Sequence, residues 1–184
     1  MKITVYLASH LGADASFRAL TAELGTWLGR EGHVLIYGGS DQGLMGILAD
    51  SSLAAGGQVT GIIPTFLKAR EIEHTGLTHL IEVEDMTERK QLLREQADLF
   101  IALPGGPGTL EEISEIISMA RLDQLTQPII LYNMAGFYDS LRDLFDNMLA
   151  QGFITAVERD KVIFLDSLDQ IAAIVAEEER SHGH

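Results

Sequence analysis

The amino-acid sequence predicts one α/β domain of the Rossmann-like, doubly wound type, in which a mostly parallel sheet carries helices on both faces. Short β-type runs alternate with longer helical patterns along the 184 residues, as in sheets whose parallel strands are joined by helices. Several short runs are continuously apolar, which is typical of strands covered on both faces. No composition shift, repeat or low-complexity segment marks a second domain. We therefore assign 1–180 to one domain and 181–184 to a flexible tail.

The elements follow one another in a regular order. Strands are predicted at 3–8, 34–37, 58–63, 80–83, 99–103, 128–132 and 162–165. Helices are predicted, from apolar residues spaced three and four apart, at 17–32, 44–57, 88–97, 110–122, 138–152 and 168–180. The strands at 34–37, 99–103 and 128–132 have the continuously apolar character of covered strands. The segment 63–79 has weak periodicity and is predicted to be an irregular loop.

Composition and charge restrict the classes of function. Hydrophobic residues make up 46% of the chain and charged residues 22%, as in a soluble globular protein. The formal net charge of −14 opposes binding to nucleic acid polymers and to anionic membranes, so neither is expected as a partner. The absence of cysteine excludes disulfides and a cysteine nucleophile. The first apolar run is too short for a signal peptide, so we expect a cytoplasmic protein.

Two glycine-rich loops each follow a predicted strand and precede a helix. Their notable residues are Gly38, Gly39 and Gly43 in the first loop, and Gly105, Gly106, Gly108 and Thr109 in the second. Ligands of such sheets bind at the carboxyl ends of the strands. Glycines let backbone N–H groups approach a ligand, and the amino terminus of the following helix attracts an anion. Together the loops predict a site for a phosphate and a sugar, whereas either glycine pair alone is compatible with a simple tight turn.

The standard nucleotide-binding motifs are absent from the sequence. The chain contains no G-x-x-x-x-G-K-[ST] motif, and its first strand is followed by SHLGADAS instead of G-x-G-x-x-G. Kinases, P-loop ATPases and standard dinucleotide dehydrogenases are therefore disfavoured. The histidines lack zinc-motif spacing, so we predict no metal site.

Glu112 and Arg89 each have both a structural and a chemical interpretation. Thr109-x-x-Glu112 and Asp85-x-x-Glu88 match the capping box, in which a glutamate supports the first turn of a helix. In the structural interpretation Glu112 is only a cap, and Arg89 lies on a solvated helix face. In the chemical interpretation the Glu112 carboxylate stabilises an oxocarbenium ion or deprotonates a water molecule beside the glycine loop.

Five segments give the chain a resemblance to a known family. They are YGGSDQGLMG at 37–46, GGQVTGIIP at 56–64, DMTERKQLL at 85–93, PGGPGTLEE at 104–112 and GFYDSLRDLFDNMLAQGFI at 136–154. In these segments the chain resembles the lonely-guy family of cytokinin-activating nucleoside 5'-monophosphate phosphoribohydrolases, of which many bacterial members carry the label lysine decarboxylase. The resemblance implies a hydrolase that cleaves the bond between an adenine-type base and ribose 5-phosphate.

The resemblance also implies roles for individual residues. Glu112 and Arg89 would be catalytic, with the guanidinium gripping phosphate or holding the ribose and the acid in register. Residues 105–109 would bind the 5'-phosphate, and the loop at Gly38 would lie nearer the ribose or base. Further substrate-binding positions are Ser9, Met86 and Lys90. Lys90, however, points roughly 100° around a helix from Arg89, which is compatible with packing or another surface instead.

Three positions depart from the family's pattern. The family commonly has a glycine in place of Ser40, a histidine in place of Thr87 and a lysine in place of Gln127. Ser40 is a mild change if its backbone avoids the left-handed region. Thr87 and Gln127 are expected closer to the ligand, so they bear on the preferred base or the catalytic efficiency more than on the reaction type.

Two further functions compete with hydrolysis. A non-catalytic carrier of a nucleotide-like ligand or of a molybdenum cofactor is the alternative, because related folds with the same glycine loops bind that cofactor. Retention of Arg89 and Glu112 favours the enzyme. A pyridoxal-dependent lysine decarboxylase needs a Schiff-base lysine, and no lysine of this chain has a cofactor-like context. We therefore expect hydrolysis of a purine nucleoside 5'-monophosphate without metal or organic cofactor. The resemblance also implies a homodimer.

Overall fold

A seven-stranded parallel sheet forms the centre of the protein. The computed structural model describes residues 1–68 and 72–182, the side chain of residue 182 excepted. Within these residues the strands are β1 (Lys2–Tyr6), β2 (Val34–Tyr37), β3 (Gln58–Pro64), β4 (His79–Val83), β5 (Leu99–Ala102), β6 (Ile129–Tyr132) and β7 (Val162–Leu165). Their order is β4-β3-β2-β1-β5-β6-β7, and each neighbouring pair is parallel. The predicted mostly parallel sheet is confirmed.

The helices alternate with the strands as the periodicity predicts. They are α1 (Ser16–Arg30), α2 (Gly43–Ala54), α3 (Met86–Glu95), α4 (Pro107–Arg121), α5 (Asp139–Ala150), α6 (Ala156–Asp160) and α7 (Leu168–His182). The short helix α6 was not predicted, since five residues are too few to establish a period. Its start is fixed by a capping box in which Thr155 and Glu158 bond each other's backbone N–H. No helix among the described residues is long and apolar enough to cross a membrane.

Two predictions concern the ends of elements. Helix α7 continues through His182, so residues 181–182 of the predicted tail are helical, and 183–184 lie outside the described residues. The predicted irregular loop at 63–79 contains the end of β3, a 3₁₀ turn at Thr65–Leu67 and an isolated bridge between Ser40 and Glu73. Positions 69–71 of this loop lie outside the described residues.

Helices cover both faces of the sheet, which confirms the doubly wound architecture. On one face, buried side chains of α1, α2 and α7 pack on the strands, among them Leu24, Leu28, Leu48, Ile171 and Val175. On the other face the buried or partly buried side chains come from α3, α4 and α5, among them Leu93, Ile113, Ile116, Leu141 and Phe145. Burial of these apolar stripes stabilises the fold through the hydrophobic effect.

The strand order brings two distant loops together. Strand β1 lies beside β5, with Ile3 opposite Leu99, and Leu103 N donates to Tyr6 O across the ends of the two strands at 2.9 Å. The chain continues from β1 toward one edge of the sheet and from β5 toward the other. The carboxyl ends of these strands therefore form the crevice in which such sheets bind ligands.

Candidate active site

A cavity of about 340 Å³ opens at the carboxyl ends of β1 and β5. The loop after β1, the first turns of α3 and the first turns of α4 form most of its wall. Its polar lining residues are Ser9, His10, Arg89, Thr109, Glu111 and Glu112. Met45, Leu67 and Met86 add apolar surface. The cavity thus combines apolar walls with a small number of convergent polar groups, which is the usual composition of a small-molecule site.

Helix α4 presents its amino terminus to this cavity. Gly106 is the N-cap residue and Pro107 is the first helical residue, a position that suits the fixed φ of proline. A Cβ added to Gly106 or to Gly108 would meet no protein atom within 4 Å, so the space beside both residues is open. The first N–H groups of a helix have no partner within it and attract anions. This end of α4 can therefore attract a negatively charged group.

The predicted capping box at Thr109 and Glu112 is wrong. Since Pro107 starts the helix, Thr109 is its third residue, and the N-cap residue Gly106 makes no side-chain cap bond. The Thr109 side chain instead fills the space beside Gly105, where an added Cβ would lie 2.5 Å from Thr109 Cβ. Glu112 consequently lies in the second turn, where it is 9% exposed and lines the cavity. The cap interpretation of Glu112 is excluded.

The start of α3 agrees only in part with its predicted capping box. Asp85 is the N-cap residue, and its carboxylate accepts from Glu88 N at 2.9 Å. The Glu88 carboxylate accepts from Glu84 N, also at 2.9 Å, instead of from Asp85 N. The cap places Arg89 in the first helical turn but on the inner side, where it is 4% exposed. The interpretation of Arg89 as a solvated surface residue is wrong.

Arg89 is held by the first glycine loop. Its Nη2 donates to Gly38 O at 3.2 Å, and its Nη1 lies 3.8 Å from Met86 Sδ. A Cβ at Gly38 would overlap the Arg89 guanidinium, so a larger residue at this position would displace that guanidinium. The Nε atom of Arg89 is buried, and no described residue accepts a hydrogen bond from it. A buried guanidinium with an unused donor at the cavity wall indicates an anionic ligand.

Tyr6 does not line the cavity, but it is close enough to Glu112 to feel its charge, which sequence reasoning did not predict. It ends β1, is 3% exposed and stacks on Phe100 with ring centroids 6.3 Å apart. Burial and then the negative charges of Glu112 and Glu115 raise the pKa of Tyr6, which keeps its hydroxyl protonated. Its position in an apolar strand run gave no signal of this proximity.

Comparisons with known proteins found related sequences over most of the chain. Residues 45–175 match a family model described as "Possible lysine decarboxylase". A probable cytokinin riboside 5'-monophosphate phosphoribohydrolase of Oryza sativa subsp. japonica is 38% identical over 181 residues, which cover 98% of this chain and 81% of the rice protein. A cytokinin riboside 5'-monophosphate phosphoribohydrolase of Rhodococcoides fascians is 38% identical over 174 residues, which cover 94% of this chain and 88% of that protein.

The chain belongs to the cytokinin riboside 5'-monophosphate phosphoribohydrolase family. Solved structures with lower identity share its fold. The Moco carrier protein from Chlamydomonas reinhardtii superposes with a TM-score of 0.73 at 18% identity, covering 98% of both chains. The molybdenum cofactor binding protein from Rippkaea orientalis gives 0.67 at 22% identity, covering 96% of this chain and 95% of that one. These likenesses establish the architecture alone.

Two glycines of the first loop, Gly38 and Gly43, contact residues that line the cavity of the phosphoribohydrolase site. Gly38, Gly39 and Gly43 do not line the cavity. Gly43 has a φ of +59° and packs against the backbone of Ser9 and His10, where an added Cβ would overlap both residues. The start of α2 thereby holds the loop after β1, and Ser9 is placed at the cavity wall as predicted.

Of the other predicted substrate-binding residues, some lie at the cavity and some do not. Met86, Gly106, Gly108 and Thr109 line it, whereas Gly105 lines an adjoining apolar cavity of about 230 Å³. Lys90 lines neither of these two cavities, because its Nζ is paired with Glu111 at 2.7 Å and with Glu115 at 2.6 Å.

His10, an exposed loop residue, lies in the wall shared by both cavities, a position that the sequence analysis did not predict. Its Nδ1 is 3.5 Å from Ser9 Oγ, and its carbonyl accepts from Leu44 N at 3.4 Å. The available signal was its place directly after Ser9, in the loop that follows the first strand. Because a loop of that kind reaches the carboxyl edge of the sheet, its polar residues are candidates for ligand contact.

The three departures from the family's pattern lie outside the cavity lining. Ser40 is not among the described non-glycine residues with positive φ, as a mild substitution requires. Its Oγ accepts from Gln42 N at 3.2 Å. Thr87 is exposed on α3. Gln127 donates to Ala97 O at 3.3 Å and lines a separate hollow beside Lys161. Neither Thr87 nor Gln127 lines the cavity in the single chain, so the expectation that they approach the ligand is not supported.

Proposed function

We propose that this protein hydrolyses the N-glycosidic bond of a purine nucleoside 5'-monophosphate, of the adenine or cytokinin type, to the free base and ribose 5-phosphate. The observation that carries the proposal is the convergence of a buried arginine, a buried glutamate and a helix amino terminus on one cavity. The names of the curated relatives specify the same reaction for those proteins. The proposed enzyme uses no organic cofactor or metal.

The phosphate end of the substrate binds at the amino terminus of α4. Open space beside Gly106 and Gly108 leaves their backbone accessible, and the Thr109 and Ser9 hydroxyls line the same wall. The helix dipole and the first N–H groups favour a dianion there despite the negative net charge of the chain. The buried Nε of Arg89, which has no partner among the described residues, independently supports an anionic ligand in the cavity.

The chemical step is the addition of water to C1' of the ribose and the departure of the base. As the C–N bond breaks, positive charge develops on the ribose ring, and the Glu112 carboxylate stabilises it or removes a proton from the attacking water. The leaving base gains a proton on the nitrogen that was bonded to the sugar. Arg89 holds the phosphoribosyl group in register with Glu112, which converts binding energy into orientation.

The lysine decarboxylase description does not fit the chemistry of this cavity. A pyridoxal enzyme holds its cofactor through a Schiff base with a lysine. None of Lys2, Lys68, Lys90 and Lys161 lines the cavity. Lys68 and Lys90 are each paired with two carboxylates, and Lys161 binds the Ala120 carbonyl and Asp123. We therefore retain hydrolysis as the proposed reaction.

A homodimer is part of the proposal. Helix α5 has no buried residue, and large apolar side chains are exposed on and around α4, α5 and α6: Leu110, Leu122, Leu144, Phe153 and Val157. Ion pairs hold these helices together, with Arg121 2.8 Å from Glu158 and Arg159 2.6 Å from Asp146. Exposed apolar surface of this extent favours burial against a second copy of the chain.

Release of free base from nucleotides tests the proposed function. The purified protein is incubated with AMP, with an N6-isopentenyl derivative of AMP and with adenosine, and the bases are separated by chromatography. We expect base release from at least one monophosphate and much slower release from adenosine, because adenosine lacks the group that α4 binds. Equal rates for AMP and adenosine would remove the phosphate argument. Nucleotide binding without base release would favour the carrier alternative.

A further inference from the structure

Four charged residues join α3 to α4 directly behind the cavity. We call them the α3–α4 clamp, and they are Lys90, Arg94, Glu111 and Glu115. Lys90 Nζ lies 2.7 Å from Glu111 Oε1 and 2.6 Å from Glu115 Oε2, and Arg94 Nη1 lies 3.3 Å from Glu115 Oε1. Residues four apart occupy successive turns of a helix. The clamp therefore connects two turns of α3 to two turns of α4.

The clamp is adjacent to both residues of the proposed chemistry. Lys90 follows Arg89 on α3, and Glu111 precedes Glu112 on α4. Glu111 also lines the cavity itself. Arg89 and Glu112 belong to different helices, so their relative placement depends on the alignment of α3 with α4.

Lys90 is committed to the clamp and not to the cavity. Its side chain is 24% exposed, and those of Arg94, Glu115 and Glu111 are 21%, 31% and 56% exposed, so water screens the pairs with Glu115 less than the pair with Glu111. Hydrogen bonds to Glu111 and then to Glu115 raise the pKa of Lys90. Two of the three donors of an ammonium group are thus used on carboxylates.

We infer that Lys90 is a positioning residue, which acts through Glu111 and Glu115 to hold Arg89 against Glu112 and does not touch the substrate. This inference rests on the proposed function. Small displacements of reacting groups have large effects on rate, so fixing the two helices contributes to turnover.

A double-mutant cycle tests whether Lys90 acts through the two glutamates. Its proteins are the wild type, Lys90→Met, the Glu111→Gln/Glu115→Gln pair and the triple variant, each assayed for base release from AMP. We expect Lys90→Met to lower kcat about tenfold with KM within about twofold, and to change kcat less than about twofold in the glutamine background. Lys90→Arg keeps the charge and should retain most of the turnover. Melting temperatures show whether each variant is folded.

A matched lysine on another surface provides the control. Lys161→Met removes a lysine that binds the Ala120 carbonyl and Asp123, each at 2.7 Å, and should leave turnover unchanged. The same loss of kcat for Lys90→Met in both backgrounds, or a loss confined to KM, would overturn the inference in favour of direct substrate contact. Unchanged kinetics in Lys90→Met would also overturn it.

Failure of the proposed function is recognised separately. If the wild type releases no base from any monophosphate, the proposed function fails whatever the variants do. The clamp is then judged from the Kd of AMP, measured by calorimetry in the same four proteins. Non-additive changes in Kd would support coupling through the glutamates, and additive changes would overturn it.

Discussion

Glu112 lies in the second turn of α4, buried beside the cavity and not at the cap position that its spacing from Thr109 suggested. Because the helix starts at Pro107, a substitution of Glu112 is expected to affect catalysis and not helix capping. Glutamine has the size of glutamate but no charge, so Glu112→Gln separates the role of the carboxylate from that of the side-chain volume.

The first prediction is that Glu112→Gln lowers kcat by roughly 100-fold or more while AMP binding changes little, because the carboxylate charge is needed only in the transition state. Single-turnover base release and calorimetry measure the two effects. Thr109→Ala serves as a comparison. Because Thr109 is not the N-cap residue, the free energy of unfolding of this variant should not show the loss of a side-chain cap. Near-normal turnover in Glu112→Gln would return the protein to the carrier hypothesis.

The second prediction is that two glycine substitutions affect different properties, one turnover and the other phosphate binding. In Gly38→Ala the new methyl group overlaps the Arg89 guanidinium, so we expect turnover to fall by roughly 100-fold through the displaced arginine. In Gly106→Ala the methyl group meets no protein atom within 4 Å and projects into open space beside α4. That variant should melt like the wild type but bind inorganic phosphate and AMP more weakly. Equal phosphate affinity in Gly106→Ala and the wild type would argue against an anion site at this loop.

At the scale of the element, α3 is short and depends on its first turn. The helix has ten residues, of which only Arg89 and Leu93 are buried. Little apolar burial therefore stabilises it, and the cap at Asp85 contributes a larger share than in a long helix. Because Arg89 lies in this first turn, the stability of the cap and the placement of the guanidinium are linked.

The cap of α3 gives the third prediction. Asp85→Ala removes the acceptor of Glu88 N and should destabilise the protein by about 1 kcal/mol, with a fall in kcat as the first turn frays. Asp85→Asn retains a cap acceptor and should recover both properties. Chemical denaturation and base release measure them. Recovery of stability without recovery of turnover would show that the Asp85 charge matters apart from its cap bond.

At the scale of the whole molecule, exposed apolar side chains on and around α4, α5 and α6 leave a large surface without a partner in the single chain. Helix α4 carries Glu112 in its second turn. The exposed Leu122 directly follows the last residue of this helix, Arg121. A partner copy on this surface would therefore contact the helix that also carries the proposed chemistry.

The fourth prediction is a dimer in solution. Light scattering at micromolar concentration should give twice the chain mass of 20.1 kDa, because burial of the exposed side chains favours association. Phe153→Ser combined with Val157→Ser removes the two most exposed large side chains, at 75% and 71%, and should weaken the dimer. Gln151→Ser, in the same exposed turn, is the matched control. A wild-type particle of monomer mass would contradict the prediction.

The sequence by itself determined the fold class and most of the elements. Apolar periodicity is a local property, so the seven strands and the long helices could be located to within a few residues. The motif residues also brought Ser9, Met86, Arg89, Thr109 and Glu112 into one predicted site, and the structure places these five at one cavity.

Only the tertiary structure decided which role each of these residues has. The space beside Gly38 is occupied by the guanidinium of Arg89, 51 residues away in sequence, which a larger side chain would displace. Lys90 turns away from the cavity because Glu111 and Glu115 of another helix bind its ammonium group. His10 reaches the cavity wall because β1 lies beside β5. Spacing reports neighbours along one helix or strand, whereas burial and pairing arise from segments that meet only when the sheet assembles.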